Sequence, residues 1–396
     1  MHKLEQILPS ILDQATPSTD VENTPLAEAC NSVVAQPQIS QINVPPQDNS
    51  AMDGFAFNYD QIEENQPVTV SQIIYAGTSP TPLAPNTAAR IFTGSEIPAG
   101  ANTVVMQENC EYDAELKQVI IKKLPAAGDN IRRQGQDIAI GQTVLPQGTR
   151  LKPQDIGMLA SIGIDKIPTI KKPTVAIFST GDELVEPGQA LAPGKIYNSN
   201  RFLLATYLNA LGCNTVDLGI AKDTLEDTVN ILEKASQYDC IITSGGVSVG
   251  EADFVKQAVE HLGKLDVWKL AIKPGKPLAF GNINDTPFFG LPGNPVAVFV
   301  TFLLVVKPFL QKTLGNNTPL TTRKFQAKFT VKRPGIRQHY MRVKINAENQ
   351  LESFPNQSSG ILSSVSWADG LAIIPIDTTV QEGDWLDVIL LNDSVF

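Results

Sequence analysis

The stretch TSGGVSVGEADFVKQAVEHLGKLDVWKLAIKPGK, Thr243 to Lys276, decides how this chain is read. It follows the apolar run Cys240-Ile241-Ile242, breaks at Gly245-Gly246 and crosses Ser248 and Gly250. Apolar residues then return at helical spacing, Phe254, Val255, Ala258, Val259 and Leu262. That order is strand, glycine loop, helix. Paired glycines admit positive φ and a close backbone approach, and the free N–H groups at the start of a helix favour an anion. Lys269, Lys273 and Lys276 follow in one segment, while Glu251 and Asp253 stand at the first helical turn, where carboxylates cap a helix or hold a metal. From the loop alone, an ordinary strand-to-helix turn with a capping acid reads equally well.

Outward from that stretch, the 396 residues exceed one ordinary core and predict two to four domains at roughly 100–200 residues each. An apolar content of 42% with 18% charged residues is that of a folded chain. The formal charge of −10 excludes bulk attraction to nucleic acid or to an anionic membrane, so a bound phosphate has to be held by local donors. Cys30, Cys110, Cys213 and Cys240 are scattered without a C-x-x-C pair, which argues against a zinc site or a disulfide framework. The first residues, MHKLEQILPSILDQ, lack a basic region followed by an apolar core, and no uninterrupted apolar run reaches ~18 residues. A cytoplasmic protein is expected. With three histidines in all, His2, His261 and His339, the chemistry falls to carboxylates and lysines.

In chain order, Leu4, Ile7, Leu8, Ile11 and Leu12 predict an amphipathic helix ending before Pro17, and a second helix is expected from Pro25 to about Val34, the two forming an extended stalk. Asp53-Gly54 reads as a turn before a strand at Phe55. Pro67 to Val144 carries short alternating strands punctuated by glycine, the pattern of a small barrel or sandwich. Its polar cluster Gly128 to Asp137 either holds an anion through its arginines or is a solvated turn. Leu151 to Gly163 resumes a helical period, which would make the β-rich unit an insertion. After Pro173, apolar strands alternate with helices: strands from Thr174, Asn214 and Asp239, helices Asn200 to Leu211 and Thr224 to Ser236. That is the doubly wound pattern, whose ligands sit outside the carboxyl ends of the strands. Glu183, Asp223, Gly245-Gly246 and Gly293-Asn294-Pro295 should therefore share one rim. Helix capping explains either acid taken singly. Pro295 to Leu314 reads as a core or dimer-interface helix, and the chain from Arg323 onward as a separate all-β unit, in which Asn356 to Gly360 is either a binding loop or a hairpin connection. The expected domains are 1–45 with 145–170, 46–144, 171–320 and 321–396. The rim offers lysines, acids and backbone N–H groups with no Ser/His or Cys/His arrangement, which suits a phosphorylated anionic ligand with a divalent cation.

Six segments, taken together and in order, resemble the molybdopterin molybdenumtransferase family, commonly called MoeA, which includes the gephyrin E domain. They are Ser50-Ala51-Met52-Asp53-Gly54-Phe55-Ala56, Asn130-Ile131-Arg132 with Gly135 and Asp137, Ser179 to Leu184, Thr243 to Gly250, Lys273-Pro274-Gly275-Lys276-Pro277 and Leu291-Pro292-Gly293-Asn294-Pro295-Val296. The resemblance implies a multidomain α/β plus all-β fold. A central α/β domain like that of molybdopterin adenylyltransferases would carry an inserted β-rich domain, an elongated helical N-terminal domain and a C-terminal β-barrel-like domain. It implies a homodimer whose cleft lies between the α/β domain of one subunit and the N-terminal parts of the other. The implied activity is insertion of molybdate into adenylylated molybdopterin with release of AMP, dependent on Mg²⁺. Carried over by motif, Glu183, Asp223 and Asp253 would hold the metal or the bound substrate, and Gly245, Gly246 and Ser248 would cradle the phosphate. Lys269, Lys273 and Lys276 would bind molybdate or substrate phosphates, Pro292 and Pro295 would shape their loop, and Asp53, Thr93, Arg132, Asp137 and Ser359 would line the cleft. A molybdopterin adenylyltransferase and molybdoenzymes are the implied protein partners.

Overall fold

The computed structural model describes residues 1–247, 254–316 and 318–392. Thr174–Thr180, Cys240–Ser244 and Thr286–Leu291 are buried almost throughout without polar alternation, as strands covered on both faces must be. They form the centre of a six-stranded sheet ordered Asn214–Ala221, Thr174–Thr180, Cys240–Ser244, Thr286–Leu291, Pro277–Ile283, Gly263–Lys269. The first four strands are parallel and the last two antiparallel. Alternate side chains of each strand enter opposite cores. Val175 and Ile177 meet Leu204 and Leu208 of helix Ser199–Leu211 and Val298 of the long helix, whereas Ala176 and Phe178 meet Leu232 and Val255 of helices Leu225–Ala235 and Phe254–Leu262.

The long helix Pro295–Thr313 is apolar on all sides, with a mean hydropathy of 1.6, because 83% of it is buried inside the protein. It is a core helix, although its length and composition alone would suit a membrane. Pro308 cannot donate to Leu304 and its ring crowds that carbonyl, and the helix widens to a π turn over Phe302–Val306 just before it.

The N-terminal helix spans Leu4–Leu12 and buries Leu4, Ile7 and Ile11 against this same core, with Lys312 Nζ donating to the Leu12 carbonyl at 2.7 Å. It does not extend into a stalk. The expected second helix over residues 25–34 is absent. Val21–Pro25 is instead a strand paired with Lys166–Ile170, followed by a single 3-10 turn, Leu26–Glu28. Asn31 takes a positive φ of 68°, and the β-branched Val33 and Val34 bridge to Arg150 and Thr169. Non-local pairing thus overrides an apolar spacing that fits a helix.

Gln38–Ile39 pairs with Thr143–Leu145, so residues 21–45 and 143–170 interlace around one small core that includes Val34, Leu145, Leu151, Leu159 and Ile167. Between them runs a second six-stranded sheet built from residues 54–121. The C-terminal strands, Thr322–Ala327 to Trp385–Leu390, close into a barrel through a further pairing of Gln338–Ile345 with Gly370–Ile374 and include one short helix, Ser363–Trp367. Ile272–Lys273, from the lysine segment, is hydrogen-bonded to this barrel.

Candidate active-site cleft

The loops that leave the four parallel strands, at Thr180, Ala221, Ser244 and Leu291, open onto one cleft of about 760 Å³. Gly181 and Glu183 come from the first, Asp223 from the second, Gly245 and Gly246 from the third, and Pro292 to Asn294 from the fourth. Glycine is required at the third. Gly246 has φ +67°, and a Cβ there would lie 2.5 Å from Val255 Cγ2 and 2.7 Å from Thr180 Oγ1.

The lysine segment forms the opposite wall, with Lys273 and Lys276 exposed into the cleft on either side of Pro274-Gly275. Leu270 N–H donates to the Lys276 carbonyl at 2.7 Å. The segment runs parallel to Gln338 and His339 of the barrel. His2 also braces it: its N–H donates to the Lys269 carbonyl at 2.9 Å, and its carbonyl accepts from Ala271 N–H at 2.7 Å. At Gly275 a Cβ would stand 2.7 Å from Thr301 Oγ1 of the core helix.

Asn294 lines the cleft as its place on the expected rim implied, and Gln357 and Ser358, of the loop read as either a binding loop or a hairpin connection, line it too, whereas Arg337 was not singled out by sequence reasoning. Arg337 Nη1 donates to the Ile272 carbonyl at 3.3 Å, which sets its guanidinium beside the lysines. Only barrel closure brings it there. Arg342 is fully buried behind this wall and holds the loop Gln357–Ser358 by donating to the Ser358 carbonyl at 3.1 Å and to Ser364 Oγ at 3.0 Å. Ser359, which was singled out, lines the cleft, and its carbonyl accepts from Val296 N–H at the start of the core helix.

Burial, with Lys273, Arg342 and Arg337 nearby, pushes the His339 pKa down to about 3. The folded protein therefore keeps this imidazole neutral where the unfolded chain, titrating near 6.5, takes up a proton. The contribution is present in full above pH ~6.5 and is lost as pH falls toward 3. His339→Gln should flatten the acid-side fall in urea-unfolding free energy across that window by on the order of a few kcal/mol. An unchanged pH profile would contradict the neutral imidazole.

Asp53 and Thr93 form a separate pair. Thr93 donates its N–H at 2.7 Å and its hydroxyl at 2.9 Å to Asp53 Oδ1, and these bonds, the backbone one foremost, hold the carboxyl below its usual pKa. Ile131–Arg132 pairs with Asn49–Ser50, so Arg132 is carried on the adjoining strand. Arg132 and Asp137 are exposed. None of these residues lines the cleft of their own chain. Lys269, at the end of its strand, and Pro295, the first residue of the core helix, flank the cleft without lining it. Ser248 and Asp253 lie outside the described residues.

Among the described residues no group of three or more His, Cys, Asp or Glu converges. Glu183 and Asp223 both line the cleft. Mg²⁺ keeps several waters and binds through one or two carboxylates plus substrate phosphates, so this donor set fits it.

Comparison with known proteins covers nearly the whole chain. The family model of the MoeA N-terminal region (domain I and II) matches residues 2–163, that of a probable molybdopterin binding domain residues 176–312, and that of the MoeA C-terminal region (domain IV) residues 324–391. A molybdopterin molybdenumtransferase of Haemophilus influenzae is 42% identical over 317 residues, covering 80% of this chain and 78% of that one. One of a Nostoc species is 35% identical over 391 residues, covering 94% and 89%. The crystal structure of a molybdopterin biosynthesis MoeA protein from Pyrococcus horikosii aligns with a TM-score of 0.82 at 31% identity, over 98% of this chain and 99% of that one.

Proposed function

Because the chain belongs to the MoeA family of molybdopterin molybdenumtransferases, we propose that its cleft inserts molybdate into adenylylated molybdopterin and releases AMP. The chain is a transferase of molybdenum cofactor biosynthesis. The observation that carries the finer reading is the convergence of Lys273 and Lys276 with Glu183 and Asp223 at the Gly245-Gly246 loop.

Molybdate is a tetrahedral oxyanion, which compact lysine charges and the Arg337 guanidinium suit. The glycine loop offers backbone N–H groups to a phosphate. Glu183 and Asp223, with Asp253 as a third candidate, would hold Mg²⁺, which when bound supplies charge neutralisation to the phosphates. Cleaving a phosphoanhydride asks for charge stabilisation and positioning more than for a protein nucleophile, and the donor set matches that demand. Ser248 and, from the flank of the cleft, Lys269 would extend the phosphate and oxyanion contacts, Pro292 and Pro295 would shape the loop ahead of the core helix, and Ser359 would close the barrel side. Asp53, Thr93, Arg132 and Asp137 would complete the cleft from the other subunit of a homodimer. A cytoplasmic setting, and contacts with a molybdopterin adenylyltransferase and with recipient molybdoenzymes, belong to the same reading.

The test is purified protein given adenylylated molybdopterin, molybdate and Mg²⁺, with AMP followed over time. Molybdate-dependent AMP release is expected. AMP production independent of molybdate, or ATP-dependent adenylylation of unmodified molybdopterin in its place, would overturn the reading.

A further inference from the structure

Asn198 caps helix Ser199–Leu211 and Asn200 stands in its first turn, and neither asparagine is among the residues lining the cleft. Asn198 is 2% exposed and makes bonds in three directions. Its N–H donates to the Val185 carbonyl at 3.0 Å, which closes the loop carrying Glu183. Its Oδ1 accepts from Arg201 N–H at 3.3 Å, capping helix Ser199–Leu211. Its Nδ2 donates to Ser179 Oγ at 3.0 Å, and Ser179 Oγ lies 3.3 Å from Ser244 Oγ. Ser179 and Ser244 are register partners on adjacent parallel strands, and each stands at the end of its strand where a cleft loop begins. Both are at most 3% exposed. Two residues on, Asn200 Nδ2 donates to the Gly293 carbonyl at 2.7 Å.

We propose that Asn198 and Asn200 are positioning residues that hold three cleft loops, those of Glu183, Gly245-Gly246 and Gly293-Asn294, in one fixed mutual placement. The proposal rests on the cleft being the site of molybdate insertion. The chemistry favours a brace: the Asn198, Ser179 and Ser244 groups are uncharged, buried and joined in sequence, and in a low-dielectric interior such a chain of bonds resists displacement of any one member, with Asn200 adding a bond at its half-buried edge. A loop shift of about 1 Å costs on the order of a hundredfold in a reaction that depends on alignment. Among the described residues, no hydrogen bond joins the lysine segment to Asn198 or Asn200. That segment is held by His2 and Gln338, with Gly275 seated close against the core helix. The brace should therefore set turnover and leave molybdate affinity alone.

Asn200→Ala removes the bond to Gly293 from a half-buried position, so the variant should fold, with an unfolding midpoint near that of the parent. Asn198→Asp keeps the helix-capping acceptor and removes the amide donor. Expected for both is a kcat for AMP release lower by roughly tenfold, with the KM for molybdate within about twofold of wild type. Hydrogen exchange measured by mass spectrometry should accelerate over residues 291–296 in Asn200→Ala and over 181–186 and 243–247 in Asn198→Asp. Because exchange reads loop placement without the reaction, an inactive wild type would refute the functional reading and leave the brace to be judged on exchange. Exchange in Asn200→Ala indistinguishable from wild type, or a kcat that is unchanged while exchange accelerates, would overturn the proposal.

Discussion

Asp223→Ala and Lys273→Ala should each cut AMP release by about a hundredfold or more while unfolding close to the wild-type temperature. Both side chains are exposed in the cleft, so truncation opens no cavity and orphans no buried partner. Asp223 follows the edge strand Asn214–Ala221, and the Lys273 backbone keeps its pairing with His339 whatever side chain it bears. The loss then belongs to charge placed against the phosphates and the oxyanion, where one removed contact in a preset site typically costs 10²–10³ in rate. Lys273→Arg should not restore full activity, because a planar fork does not replace a compact ammonium. Near-normal turnover in both alanine variants would remove the site assignment.

The second expectation concerns the residues that their own chain leaves outside the cleft. In the proposed homodimer, Asp53→Ala and Lys273→Ala proteins should each be inactive alone. Mixed and allowed to exchange subunits, they should recover about one quarter of wild-type activity. Random pairing makes half of the dimers mixed, and a mixed two-fold dimer has one intact cleft of two if Asp53 acts on the partner's lysines. A mixture of Asp223→Ala with Lys273→Ala is the control, since both residues line the cleft of one chain, and it should also recover about one quarter only if that shared lining were wrong; no recovery is expected. If the Asp53 and Lys273 pair also stays silent, the shared cleft is refuted.

The central sheet was legible because strands buried on both faces read as unbroken apolar runs, and the residues that end them are the conspicuous ones: Glu183, Asp223, Gly245-Gly246 and Pro292-Gly293-Asn294. Local chemistry is written locally. The lysine triplet was legible as a cluster, but its division was not. Lys269 closes a strand while the Pro274-Gly275 turn sets Lys273 and Lys276 toward the cleft. Leu26, Ala29, Cys30, Val33 and Val34 keep a helical spacing, and only their pairing with residues more than a hundred positions away makes the segment extended. Arg337 depends on barrel closure and a strand shared between two units, neither of which leaves a periodic signal. Asn198 and Asn200 resemble ordinary helix-start residues until Ser179 and Gly293 are seen beside them.

The tight seat of Gly275 on the core helix has a thermodynamic consequence. A small tetrahedral oxyanion makes few contacts, too few to offset the conformational entropy of ordering a free loop, at ~1–2 kcal/mol per residue. With Lys269 and Ala271 tied to His2, Ile272–Lys273 paired with the barrel, Lys276 bonded back to Leu270 and Gly275 seated close against Thr301's helix, that entropy is lost when the chain folds. What remains at binding is the freezing of lysine rotamers, ~0.5–1.5 kcal/mol for each side chain immobilised. The site is preorganised in its backbone and adaptable in its side chains, which, under the proposed assignment, would let so small an anion be retained by a handful of charges.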